Sequence, residues 1–152
     1  MCKCVLYVLY SFIIIITGEG CAVLIRALEP VQGEESMIKH RSKRRKDTSK
    51  PLKPKDLCSG PGKLTEALVI NKTLLDKKDL SAGEETTMWI EDYIMVDDRE
   101  DSTKEIVECP RIGIDYATPE WVAKPLRFYW KGNICVSKRD KKAEELQFPS
   151  TN

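Results

Sequence analysis

Apolar positions along this chain recur with the period of strands at both ends and with the period of helices in the middle. Residues 1–16, MCKCVLYVLYSFIIII, are an almost unbroken apolar run after Lys3. The run is short of the roughly 20 residues a membrane span needs and rich in strand formers, so it predicts one or two buried strands. A signal peptide is the alternative, with Lys3 as a thin basic region, but only Gly18-Glu19-Gly20 offers a small-x-small cleavage pattern. Ala22-Val23-Leu24-Ile25 has the length and β-branching of a buried strand, continued by Ala27-Leu28 and stopped by Glu29-Pro30.

Gly33-Glu34-Glu35 opens a helix with acids in its first turn and Lys39, Arg41, Lys43 and Arg44 toward its end. Its few apolar residues, Met37 and Ile38, place it on the surface. Residues 47–56 hold two prolines and read as an exposed basic loop. In Leu57–Lys72, Ser59 can cap a helix with Pro61 in its first turn, which sets Leu64, Ala67 and Leu68 on one face. Residues 76–86 are loop-like, and Met88–Met95, with Trp89 and Tyr93, is a strand candidate. Strand character returns over Ile106–Asp115, centred on Arg111-Ile112-Gly113-Ile114. Thr118-Pro119-Glu120 begins a short helix that Lys124-Pro125 ends. Leu126–Trp130 and Ile134–Ser137 flank Lys131-Gly132-Asn133 as the arms of a hairpin, and beyond Lys138 the charged chain frays.

At 152 residues the chain suits one domain with a substantial core. Its net charge of +1 conceals strong segregation. Residues 39–55 carry nine Lys or Arg against the single Asp47, a net of +8, and residues 97–108 carry six acids against two bases. The basic segment is the part suited to nucleic acid or an anionic surface, and the acidic loop belongs away from any such face. Lys43-Arg44-Arg45-Lys46 also fits a nuclear import signal.

Candidate chemistry is sparse. The six cysteines are scattered without a CxxC pair, and His40 is the only histidine, which argues against a structural zinc site or a disulfide framework and for reduced thiols inside the cell. Asn71-Lys72-Thr73 matches a glycosylation acceptor that an intracellular chain would not use. Arg26, at the end of a strand-like run, cannot shed its proton and needs a carboxylate, a phosphate or several carbonyls if it is buried. It is either a structural ion-pair member or part of an anion-handling site. Gly60-Pro61-Gly62-Lys63 places glycines and a lysine at a helix start, as a phosphate site does, without the spacing of a Walker loop; a plain capped helix with a solvated Lys63 is the other reading.

Together, GEGCAVLIRALEP, LCSGPGKLTEALVINK, the RIGI segment and TPEWVAKPLRFYWKG resemble, in the same order, the alkyladenine (3-methyladenine) DNA glycosylases of base-excision repair, over roughly residues 17–137. The resemblance implies a single compact α+β domain with a mixed, mainly antiparallel sheet and a few surface helices. Such a domain is expected to bind duplex DNA through the minor groove as a monomer, to flip a damaged purine into a pocket, and to need no cofactor or metal. By the same resemblance Arg26 helps hold the hydrolytic water and its general-base glutamate, and the Ile112 backbone carbonyl touches that water. Arg41, Gly60, Lys63 and Lys72 contact phosphates. The expected compartment is the nucleus, with mitochondria as a second.

The family's segment upstream of Gly18 carries the general-base glutamate, base-stacking aromatics with a histidine, and a tyrosine wedge. Here no glutamate precedes Glu19, Tyr7 and Tyr10 lie near the wedge position without aligning to it, and His40 sits in the basic helix. The sequence therefore reads either as an incomplete, C-terminal portion of such an enzyme or as a shortened, inactive relative: residues 1–16 an apolar segment of doubtful origin, 17–137 an incomplete glycosylase-like domain, 138–152 a charged tail. It is expected to bind DNA weakly and not to excise bases. A non-enzymatic DNA-binding module using residues 39–55 is the alternative.

Overall fold

The computed structural model describes residues 4–8, 12–16, 22–45, 49–76, 78–80, 88–90 and 105–149. Helices and small antiparallel sheets alternate in the mixed α+β manner the sequence predicts. Contacts divide the chain into two compact units, residues 1–94 and 95–152.

In the first unit β1 (Cys4–Val8), β2 (Phe12–Ile16) and β3 (Ala22–Ile25) form an antiparallel sheet in that order. Cys4 pairs with Ile16 at one end of the β1–β2 ladder, and Phe12 pairs with Ile25 at the end of β2–β3. The apolar first segment is thus two strands. The expectation of a buried strand at Ala22–Ile25 needs correction: β3 lies at the sheet's edge, Ala22, Val23 and Leu24 are exposed, and of its side chains Ile25 packs on the helical core. Arg26 follows the last paired rung and is exposed, so it carries no burial cost to be offset.

Among the described residues this unit also has four helices: α1 (Glu34–Ser42), α2 (Pro54–Leu57), α3 (Pro61–Ala67) and α4 (Lys72–Leu75). Their core comprises Leu57, Cys58, Leu64, Ala67, Ile70, Leu75 and Leu80, with Met37, Ile38, Leu52 and Leu68 against it. α1 is therefore only partly a surface helix, because Met37, Ile38 and Arg41 share its inner face. Ser59 does not cap α3. Gly60 occupies that position, and the Ser59 hydroxyl accepts a hydrogen bond from Lys63 Nζ at 3.0 Å. α3 ends with Val69 at φ 55°, a left-handed conformation that strains a β-branched residue. Of the predicted strand 88–95, residues 88–90 are described and carry no strand; the rest, like the acidic stretch 97–104, lies outside the described residues.

The second unit is built on β4 (Ile106–Cys109) paired antiparallel with β5 (Arg127–Trp130), with α5 (Pro119–Ala123) between them and α6 (Lys141–Gln147) after. Three expectations fail here. The strand stops at Cys109, because Pro110 has no N–H to continue a ladder and Gly113 takes φ 73° in the turn that follows. Residues 131–133 do not join a hairpin: β5 pairs with β4, and Asn133 Oδ1 accepts from the Cys135 N–H at 2.8 Å to make a turn instead. Nor does the C-terminal segment fray. Asp140 caps α6 by accepting from the Ala143 N–H at 3.1 Å, and Gln147 exchanges two hydrogen bonds with the Glu108 backbone at 3.0 and 2.6 Å. Glu144, 5% exposed, is held by Arg139 at 2.6 and 2.8 Å and by the Tyr129 hydroxyl at 2.9 Å. Charge segregation along the sequence hid this helix, since its single inward acid has its cation five residues earlier.

Cys58, Cys109 and Cys135 are buried thiols. Burial pushes the Cys109 thiol above its ordinary range, opposed in part by the nearby Arg127 charge.

Candidate nucleic-acid interface

The end of α1 and the turn after it carry three neighbouring side chains into or against the fold. His40 Nδ1 lies 3.0 Å from the carbonyl oxygen of Ala67, an acceptor only, so the ring donates and joins α1 to the last turn of α3. Arg44 reaches Glu66 on α3 at 3.6 Å. Between them Arg41 turns inward and is only 8% exposed.

Arg41 lies closest to Glu66 through Nε, at 3.8 Å, which is beyond hydrogen-bond distance. Its buried Nε and Nη1 atoms have no hydrogen-bond partner at all. Each such N–H costs about 1–3 kcal/mol of desolvation that nothing in the fold returns. A cation buried with two unanswered donors is the arrangement an incoming anion completes.

Arg41 is also one of the residues lining an open cavity of about 530 Å³. Five cations line it, Arg41, Arg45, Lys50, Lys53 and Lys63, against one acid, Asp56, with Pro51 and Leu52 as the apolar wall. Successive segments between residues 41 and 63 supply these groups. α1 provides Arg41, the turn after it Arg45, the loop before α2 provides Lys50 and Lys53, and the first turn of α3 provides Lys63. Arg45 Nη1 donates to the Lys50 carbonyl at 2.9 Å and ties the loop to the end of α1. Fields from like charges in one concave wall add, so the pocket attracts an anion more strongly than its members would singly.

Of the residues singled out in the sequence, the structure brings Arg41 and Lys63 into one pocket. Gly60 stands at the adjoining helix start, and Lys72, exposed at the start of α4, does not line the cavity. Arg26 belongs to the first unit, and Ile112 is exposed in the turn after β4 in the second. Tyr7 stands on β1 opposite Ile13, and Tyr10 lies outside the described residues. Sequence reading missed Arg45, Lys50, Lys53 and Asp56 as site residues. The +8 run contained the first three, but nothing in a linear charge count says which cations converge.

Among the described residues no group of three or more His, Cys, Asp or Glu could hold a metal ion, and no helix is long and apolar enough to cross a membrane.

Comparison with known proteins adds the family context. The family described as methylpurine-DNA glycosylase matches residues 3–134. The DNA-3-methyladenine glycosylase of Homo sapiens is 45% identical over 129 residues, covering 84% of this chain and 41% of the human protein. Those of Mus musculus and Rattus norvegicus are 42% and 40% identical over 133 residues, each covering 87% of this chain and 38% and 39% of theirs. The chain thus spans about two fifths of the length of these relatives.

Proposed function

This chain belongs to the methylpurine-DNA glycosylase family, and from that premise we propose that it serves base-excision repair, gripping the backbone of duplex DNA while a damaged purine is turned out of the stack for hydrolysis of its N-glycosidic bond. The observation that carries this reading is the convergence of five cations, the nine-tenths buried Arg41 among them, on one open pocket. A phosphodiester supplies acceptor oxygens and the opposite charge together. Gly60 and Lys72 are proposed as further backbone contacts.

Hydrolysis of such a bond requires a carboxylate to activate water as positive charge develops on the sugar carbon, with contacts that help the purine depart. In this reading Arg26 orients that carboxylate and its water, and the carbonyl oxygen of Ile112 accepts from the same water. The 152-residue polypeptide is proposed to bind duplex DNA as a monomer in the nucleus, without releasing bases.

Equilibrium binding to an inosine-containing duplex and to its undamaged counterpart, across a salt series, tests the proposal. Binding that weakens steeply with salt and favours the lesion is the expected result. Equal affinity for both duplexes would favour a non-enzymatic DNA-binding module built on residues 39–55. Absence of duplex binding at low salt refutes both readings, and release of hypoxanthine by this polypeptide would overturn the binding-only expectation.

A further inference from the structure

We infer that Thr118 is a phosphorylation site for a proline-directed serine/threonine kinase. Thr118-Pro119 is the one Ser-Pro or Thr-Pro dipeptide in the whole chain. A kinase pocket that closes over the residue after the acceptor strands the N–H of any other residue type, whereas proline brings no N–H to strand. Selection for proline at that place therefore singles out Thr118.

The backbone already has the shape such a cleft takes. Thr118 lies at φ −63° and ψ 150°, the extended region to which a following proline biases its neighbour, and a kinase binds its substrate segment extended. Thr118 stands at the N-cap position of α5, yet its side chain makes no capping hydrogen bond. The hydroxyl is not committed to the helix. Two other hydroxyls at helix starts are engaged: Thr65 donates to the Gly62 carbonyl at 2.9 Å, and Ser59 accepts from Lys63 Nζ at 3.0 Å.

Access is equally open. Asp115, Tyr116, Pro119, Glu120 and Trp121 are exposed along with Thr118, and Ala117 is half-buried. The helix that follows buries none of its residues. Backbone bonds hold the segment in place, the Trp121 and Val122 N–H groups donating to the Thr118 carbonyl at 2.9 and 3.1 Å and the Ala117 N–H to the Ile114 carbonyl at 2.9 Å. Opening one short turn with no buried side chain uncovers no core, so the segment can enter a cleft without global unfolding.

In the transfer, Thr118 Oγ1 bonds to the γ-phosphorus of ATP as the bond from that phosphorus to the β–γ bridging oxygen breaks. ADP leaves, the hydroxyl proton passes to the kinase's catalytic carboxylate, and nothing is oxidised or reduced. Residues 111–124 carry Arg111 and Lys124 against Asp115 and Glu120, so their formal charge is zero before modification. A phosphate of about −1.5 to −2 turns this neutral, exposed segment acidic.

The test incubates the full chain with ATP, magnesium and a mitogen-activated-class kinase whose activity is verified on a Thr-Pro control substrate, and locates the phosphate by tandem mass spectrometry. Wild type should be phosphorylated on Thr118, and Thr118→Val should carry no phosphate there. Pro119→Ala keeps the hydroxyl but restores an N–H, and should be modified about fivefold or more slowly, the effect of one donor left without a partner. Circular dichroism verifies that both variants keep the wild-type fold. An unmodified Thr118 in the presence of the active kinase overturns the inference, as does phosphate confined to other serines or threonines. Equal rates on wild type and Pro119→Ala overturn it too, because the proline would then direct nothing.

Discussion

Replacing Arg41 by methionine should stabilise the DNA-free protein while weakening its hold on DNA. The substitution removes two buried N–H groups that have no partner, each costing at least about 1 kcal/mol. It also removes the attraction to Glu66, but at 3.8 Å, with Glu66 part-exposed and shared with Arg44 at 3.6 Å, that pair is worth about 0–1 kcal/mol. Glu66 keeps Arg44, so no carboxylate is stranded. Methionine is unbranched, favours helix and packs readily against apolar neighbours such as Leu52. The balance is a gain of about 1–2 kcal/mol, read as a rise of a few tenths to about 1 M in the urea midpoint. Adding duplex at 100 times its Kd should stabilise the wild type by about 2.7 kcal/mol through binding linkage, and the same duplex concentration should stabilise R41M by less. A fall in the midpoint of R41M without DNA would refute the reasoning, because it would make Arg41 a structural ion pair that needs no ligand.

Tyr129→Phe deletes a hydroxyl that donates to Glu144 Oε1 at 2.9 Å and accepts from the Asp140 N–H at 2.8 Å; it should cost about 1–3 kcal/mol, with faster hydrogen exchange over 141–147, and unchanged exchange there would contradict it. The Arg139 hydrogen bond, outweighing burial, holds the Glu144 carboxyl below its ordinary value. Its stabilising contribution is therefore complete above the ordinary glutamate pKa of about 4.3 and lost as pH falls through the lowered value, so urea stabilities of wild type and E144Q should converge in acid and not at neutral pH. Asp56→Asn removes the pocket's one negative charge and should tighten duplex binding about two- to fivefold at low salt, whereas weaker binding would count against an anion in the pocket. Val69→Gly relieves a β-branched residue at φ 55° and should raise the thermal midpoint, unless the packing lost with the side chain exceeds the roughly 1–2 kcal/mol of backbone strain removed.

Local chemistry was legible in the sequence wherever one segment's own pattern decides its structure. The acids and bases of 34–44 mark α1, Pro61 marks α3, and Thr118-Pro119 marks α5, whose first N–H groups find the Thr118 carbonyl at 2.9 and 3.1 Å. Pairing was less legible, because it depends on which strand comes alongside. Lys131-Gly132-Asn133 carries the composition of a hairpin turn, yet β5 had a better partner in β4, where Tyr129 pairs with the buried Val107. The same limit hid α6. Nothing local separates Glu144 from the other charges near it; Arg139 and, from β5, Tyr129 together make its burial acceptable.

Arg26 and Arg41 show why a site needs structure to be weighed. The residue pattern alone marks Arg26, at the end of a β-branched run, as the costly cation and sets Arg41 on a surface helix, where only the family resemblance singles it out. Their positions are reversed: the edge strand leaves Arg26 in water, while helix packing drives Arg41 under the surface. What drives it is ordinary hydrophobic burial. Met37 and Ile38 draw α1 onto a core in which Leu57, Leu64 and Leu80 are fully buried, each contributing about 1.5–3 kcal/mol, and Arg41, one turn beyond Met37, goes down with the same face. That core can therefore hold Arg41, with two unanswered nitrogens, beside an open cationic pocket that the same residue helps to line. The desolvation that ordinarily opposes ion pairing has been borne during folding, which is why the decisive comparison is between Arg41 and methionine with and without DNA.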